Sequence, residues 1–199
     1  TRITFVVDMD APGAVSEDKL ESFVAHYMNA LRWGIPELQR QWGEVQQGHN
    51  DFAVPSKCEG CEHKRTCHST FGTYGGIGLY PFTKQAILTM AERADPHFRK
   101  AFNPREFLKL VLRPVARSAG DLETGHFPSV QLLTDLGGKQ MPPAQQLRLR
   151  RDDPLQWERR ETLIELWAGR HDVVNLSTEL HAAFDLPMLQ GADADPSGG

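Results

Sequence analysis

The sequence predicts a mainly α fold, a helical bundle with one N-terminal strand and a small metal-binding loop. Three features predict it. An amphipathic repeat runs unbroken through residues 16–31, several later stretches open with recognisable helix caps, and Cys58, Cys61 and Cys67 fall within ten residues of one another.

Ile3-Thr4-Phe5-Val6-Val7-Asp8 reads as a buried strand ending in a carboxylate. Phe52-Ala53-Val54 and Val173-Val174 are too short to be its equals. A lone strand cannot satisfy its own backbone hydrogen bonds, so its partners are expected elsewhere, and the chain is read as a fragment of a larger protein.

From Ser16, a natural N-cap, Leu20, Phe23, Val24, Tyr27, Met28 and Leu31 recur at i, i+3, i+4, i+7. Gly34-Ile35-Pro36 breaks this helix and starts a second one bearing Leu38, Trp42 and Val45. Gly72, Gly75, Gly76 and Gly78 read as a flexible connection. Thr83 then caps a helix, with Phe82 and Ile87 placed as a hydrophobic staple. Asn103-Pro104-Arg105-Glu106 opens another, which Pro114 should kink or end near 112–113. Further helices are expected over about 128–136, 153–167 and 175–184, and 191–199 is too small and polar to pack. Trp33, Trp42, Trp157 and Trp167 fall at core spacing.

Composition excludes several function classes. A formal charge of −4 argues against coating nucleic acid through bulk charge. No apolar run reaches the roughly 18 residues of a membrane span, and the N-terminus lacks a signal-peptide layout, so a cytoplasmic protein without membrane contact is expected.

The cysteines carry the sharpest chemistry. In Cys58-x2-Cys61-x5-Cys67-His68 the two-residue gap lets two thiolates grip one tetrahedral ion from a tight turn, which Gly60 eases. Zn2+ in a Cys3His set is the expected cofactor. His68 is the first choice for the fourth ligand, with His63 and His49 as rivals, because adjacent ligands require an unusual backbone. An iron–sulfur cluster uses similar gaps but takes a fourth cysteine as a rule, and the chain has three. Four protein ligands leave no open position, so such a zinc would be structural. Lys57, Lys64 and Arg65 are placed to offset the thiolate charge.

Elsewhere the signals are weaker. Asp8, like Asp10, follows an apolar strand, where nucleotidases often place a metal-coordinating or sensing acid. Arg105 sits in the first turn of a capped helix, where it could reach a phosphate on a neighbouring domain. Arg148, Arg150, Arg151, Arg159 and Arg160 form the best basic patch, but Asp152, Asp153, Glu158 and Glu161 interleave it, as in a self-paired helix face. The phosphate-loop pattern is absent: Gln140 follows Gly138-Lys139, and Leu133 stands where the first glycine belongs. No catalytic constellation is present, and the chain alone should not hydrolyse a nucleotide.

The stretch Phe23-Val24 through Tyr27-Met28-Asn29-Ala30-Leu31-Arg32, the cysteine motif, Phe71-Gly72, Gly78-Leu79-Tyr80-Pro81-Phe82 and Phe102-Asn103-Pro104-Arg105 occur in an order that resembles the C-terminal part of the ATPase module in large bacterial AAA/STAND-type P-loop ATPases. Several of these are associated with anti-phage defence. The resemblance implies a helical lid after a nucleotide-binding core, interrupted by a zinc-binding insertion, with Arg105 as γ-phosphate sensor and Asp8 as either an acid of the magnesium-binding strand or a nucleotide sensor. It divides the chain into 1–15 as the end of the core, 16–50 as a helical hairpin, 51–80 as the zinc insertion, 81–190 as the lid and 191–199 as a tail. ATP and Mg2+ would bind only in the parent protein. Its partners would be the missing core, further copies of itself, and a nucleic acid or defence component. A zinc-stabilised DNA- or protein-binding module without nucleotide chemistry is the rival reading, and a purely structural helical adaptor a third.

Overall fold

A computed structural model describes residues 16–45, 54–100, 102–137, 141–170 and 175–189. The strand predicted over 3–8 with Asp8, the acid at Asp10, the alternative ligand His49 and residues 138–140 lie outside them.

The described residues are mainly helical. Helices α1 (Glu17–Trp33) and α2 (Ile35–Val45) are followed by the cysteine loop and α3 (Lys64–Phe71). A two-stranded antiparallel hairpin comes next, β1 (Thr73–Tyr74) with β2 (Ile77–Gly78), in the register Thr73 to Gly78 and Tyr74 to Ile77. Then come α4 (Lys84–Ala94), α5 (Pro104–Phe107), a π-helical turn Leu108–Leu112, α6 (Arg113–Arg117), α7 (Ala119–Glu123) and α8 (Val130–Asp135). The chain continues through α9 (Pro143–Asp152), α10 (Trp157–Leu163), a second π-helical turn Ile164–Ala168, and α11 (Thr178–Ala183). No helix among the described residues is long and apolar enough to cross a membrane.

The caps form as the sequence predicts. Ser16 accepts from the Lys19 N–H, Thr83 from that of Ala86, and Asn103 from those of Arg105 and Glu106. Phe82 and Ile87, the predicted staple, are both fully buried. Pro114 does not end its helix. The π-turn ahead of it shifts the hydrogen bonding, so that Arg113 N–H donates to Leu108 O five residues back, and the helical path runs on through Arg117. The glycine connection of 72–78 proves to be the ordered hairpin, closed by a Gly75-Gly76 turn in which both residues have positive φ.

Helix α4 lies at the centre, packed on α1 and on both π-turns. Phe127, Trp167 and Phe184 meet in edge-to-face contacts with ring centroids 5.1–5.6 Å apart, and the buried Trp167 indole N–H donates to Pro81 O at 2.9 Å. Gly169 ends the second π-turn in left-handed geometry, and a Cβ there would stand 2.6 Å from Thr89 Oγ1. Trp42 is a correction to the sequence reading. It is 46% exposed and Ile35 72%, because α2 buries none of its described side chains.

His181 fixes the C-terminal segment. It is buried, its Nε2 accepts from Leu176 N–H at 3.1 Å, and its Nδ1 pairs with Leu186 O at 3.2 Å, an arrangement that requires the neutral Nδ1–H tautomer. Burial first, and then the Arg160 charge, lower its pKa from 6.5 to about 4. The folded value lies below the unfolded one, so this stabilisation is complete above pH 6.5 and is lost as pH falls from there towards 4. His181→Asn should therefore flatten part of the acid limb of a urea-midpoint profile, a difference of roughly 3 kcal/mol at full protonation. Parallel profiles for the two proteins between pH 7 and 4.5 would refute the assignment.

Candidate metal centre

The site is built on the last turns of α1. Asn29 is buried; its Nδ2 donates to Pro55 O at 2.9 Å, and its Oδ1 accepts the Lys57 N–H at 2.8 Å. The Trp33 indole N–H donates to the same Pro55 oxygen at 2.8 Å. These bonds fix the irregular segment that leads into the cysteines. Ser56 then accepts from Cys58 N–H at 3.2 Å and donates to Gly76 O at 3.0 Å, joining the loop to the hairpin turn.

Cys58 and Cys61 occupy two ends of one turn, with Cys61 N–H donating to Cys58 O at 3.1 Å and Gly60 at a φ of 79°. The chain winds on through Lys64 N–H to Cys61 O, 3.1 Å, into α3, which carries Cys67 and His68. Adjacent positions on a helix point about 100° apart. Cys67 accordingly faces Tyr80, and His68 faces β2. Phe71, one turn further on, stacks edge-on with Tyr80 and contacts Phe184, which ties α3 to the aromatic core.

At β2 the approach is closest. A Cβ on Gly78 would meet His68 Nε2 at a tight 3.1 Å and Cys58 Sγ at an ordinary 3.5 Å, so both atoms lie against the same position of β2. Gly78 N–H donates to Cys58 Sγ at 3.3 Å. His68 Nε2 is buried and makes no hydrogen bond among the described residues. His63, the rival ligand, is solvent-exposed and faces Glu62 at 3.4 Å. Cys58 is buried, Cys67 half-buried and Cys61 exposed.

The electrostatics follow from this crowding. Burial pushes the Cys67 thiol up, opposed by the Arg32 charge and the Tyr80 N–H and reinforced by Cys58 and Cys61. Burial, with Lys64 and Arg32 nearby, holds the His68 imidazole below its usual range, as a neutral ring. A divalent ion would supply the opposing charge that stabilises thiolates here. Among the described residues no group of three or more Cys, His, Asp or Glu side chains is drawn together tightly enough to hold an ion. The donor set nonetheless fits zinc in type: three sulfurs and one neutral imidazole whose buried nitrogen has no hydrogen-bond partner among the described residues. Binding of an ion would draw these ligands together, coupling metal binding to the fold of the loop.

Beside the loop lies a cavity of about 1310 Å³, walled by Trp33, Phe71 and Tyr80 on one side and by Thr178, Ala182 and Ala183 of α11 on another.

The other predicted site residues are dispersed. The Arg105 side chain is exposed and makes no hydrogen bond or ion pair among the described residues, while its backbone N–H is capped by Asn103 at 3.1 Å. The arginine patch is not one surface. Arg160 is fully buried and pairs with Asp153 at 2.8 Å, Arg159 donates to Phe127 O and Phe184 O, and Arg148 and Arg151 pair with Asp152. Arg150 stacks over Trp157 at 4.0 Å. Of the lysines expected to neutralise thiolates, Lys57 lies over the Trp33 ring at 4.0 Å and Lys64 pairs with Glu59 at 2.9 Å.

Sequence reasoning missed Asn29, Arg32 and Trp33 as supports of the site. Their i, i+3, i+4 spacing, with polar groups interrupting an apolar stripe, was the available signal. No protein-family model, curated protein or solved structure matches this chain.

Proposed function

We propose that this chain is a helical lid or regulatory segment of a multi-domain, cytoplasmic, ATP-hydrolysing protein, held in shape by a structural Cys3His zinc site. The observation that carries the zinc reading is the buried His68 Nε2, which has no hydrogen-bond partner among the described residues and lies, like Cys58 Sγ, against Gly78. Its burial supports His68 over the exposed His63 as the fourth ligand, while His49 lies outside the described residues. Zinc would lock the cysteine turn, α3 and the hairpin to one point, a substitute for the apolar packing that so short a segment cannot supply.

The lid reading rests on the order of motifs described above and on Arg105. A capped helix start presents its guanidinium to solvent with no partner among the described residues, as a residue that meets phosphate on another domain must be presented. ATP and Mg2+ belong to the parent's core, and the segment contributes to hydrolysis without performing it. The antiviral role and self-assembly come from the resemblance.

A second reading, a zinc-stabilised module that binds a partner, is favoured by the large apolar-walled cavity beside the loop. The self-paired arginines argue for a protein rather than DNA as that partner.

Elemental analysis with an absorption spectrum tests the metal. One zinc per chain without visible absorbance is expected; iron with a visible band, or no metal, overturns the reading. For the lid, Arg105→Ala in the full-length parent should lower ATP turnover roughly a hundredfold, the usual effect of losing a donor to developing phosphate charge. Unchanged turnover removes the lid role.

A further inference from the structure

Cys58 Sγ receives two groups from outside its own loop. One is the Gly78 N–H; the other is Arg32, whose Nη1 lies 4.0 Å from the sulfur. The same guanidinium is pinned by two carbonyls, donating from Nη1 to Gly78 O at 2.8 Å and from Nη2 to Tyr80 O at 2.7 Å. A planar guanidinium held at two points has little freedom left, and its charge is permanent. Arg32 thus reaches from α1 to the cysteine loop, to β2 and to Tyr80, which faces Cys67.

The charge arithmetic gives this position its meaning. Three thiolates and a neutral imidazole around a divalent ion leave one net negative charge in a partly buried place. Lys57 lies over Trp33 and Lys64 pairs with Glu59, whereas Arg32 places a guanidinium nitrogen directly beside the Cys58 sulfur.

We propose that Arg32 is a positioning residue of the metal centre, holding Cys58 and Gly78 in register around the ion and offsetting the surplus charge of the thiolates. The inference rests on the zinc reading. Outer partners of this kind orient ligands, and their loss costs about 10- to 100-fold in metal affinity.

The test uses the purified chain. Zinc affinity is measured by competition with a chromogenic chelator, and Co2+ is substituted to read the thiolate-to-cobalt charge-transfer band. Arg32→Met should weaken zinc binding about 10- to 100-fold and move the band, because the sulfur loses its cationic neighbour. Arg32→Lys keeps the charge and one donor, and should fall between the methionine variant and the native chain in both readouts. A merely structural arginine would lower the melting temperature without moving the band. Arg32→Met with native affinity and an unmoved band overturns this inference alone. Should the methionine variant not fold, Arg32→Lys with native affinity and an unmoved band does the same. A native chain that binds neither zinc nor cobalt overturns the zinc reading and this inference together.

Discussion

Cys58→Ser should abolish zinc binding and leave a chain whose melting temperature no longer responds to a chelator. Serine preserves the size of the side chain and can still accept the Gly78 N–H, which now meets the sulfur at 3.3 Å, so the apo structure is little disturbed. What it removes is the soft thiolate ligand, which zinc requires and a neutral hydroxyl does not replace. With free zinc a hundredfold above its Kd, the native chain gains about 2.7 kcal/mol over its apo form. For a chain of this length that is roughly 5–10 °C. The comparison is made by thermal melts of both proteins with and without excess chelator. A native melt that ignores the chelator would remove zinc from the account.

The elements legible in the sequence are those fixed by local chemistry. Ser16, Thr83 and Asn103 cap their helices because a short polar side chain before an apolar repeat has few better uses. The cysteine turn was legible for a similar reason, since Cys58 and Cys61 with Gly60 between them define a turn by spacing alone. What stayed hidden was decided at long range. Arg160 reads as part of a surface patch because nothing local says that Asp153, Asn175 and Pro187 will enclose it. Arg32 stands out in no local pattern, and its place is decided by the carbonyls that β2 and Tyr80 bring to it. Pro114 looked like a helix breaker because the rule assumes an unaltered hydrogen-bond ladder, which the π-turn before it replaces.

The Arg160 pair leads to the other large expected effect: Asp153→Ala should destabilise the fold by about 3–5 kcal/mol, the usual result of leaving one member of a buried ion pair uncompensated. Asp153 Oδ2 accepts from Arg160 Nε at 2.9 Å and Nη2 at 2.8 Å, while Oδ1 accepts the Gln156 N–H at 3.1 Å. Arg160 also donates to Pro187 O at 2.6 Å, and Asn175 bonds Leu189 through both its N–H and its C=O groups. Removing the carboxylate therefore strands a charge and loosens both the end of α9 and the segment that closes over α11. In a chain of this size the melting temperature should fall by roughly 10 °C. The double variant Asp153→Ala with Arg160→Met should be more stable than Asp153→Ala alone, because methionine fills the stem's volume without a charge to compensate. Thermal melts of the two single variants and the double complete the cycle. A double variant as unstable as the sum of the singles would show that the two side chains act independently, and that the pairing is incidental to the fold.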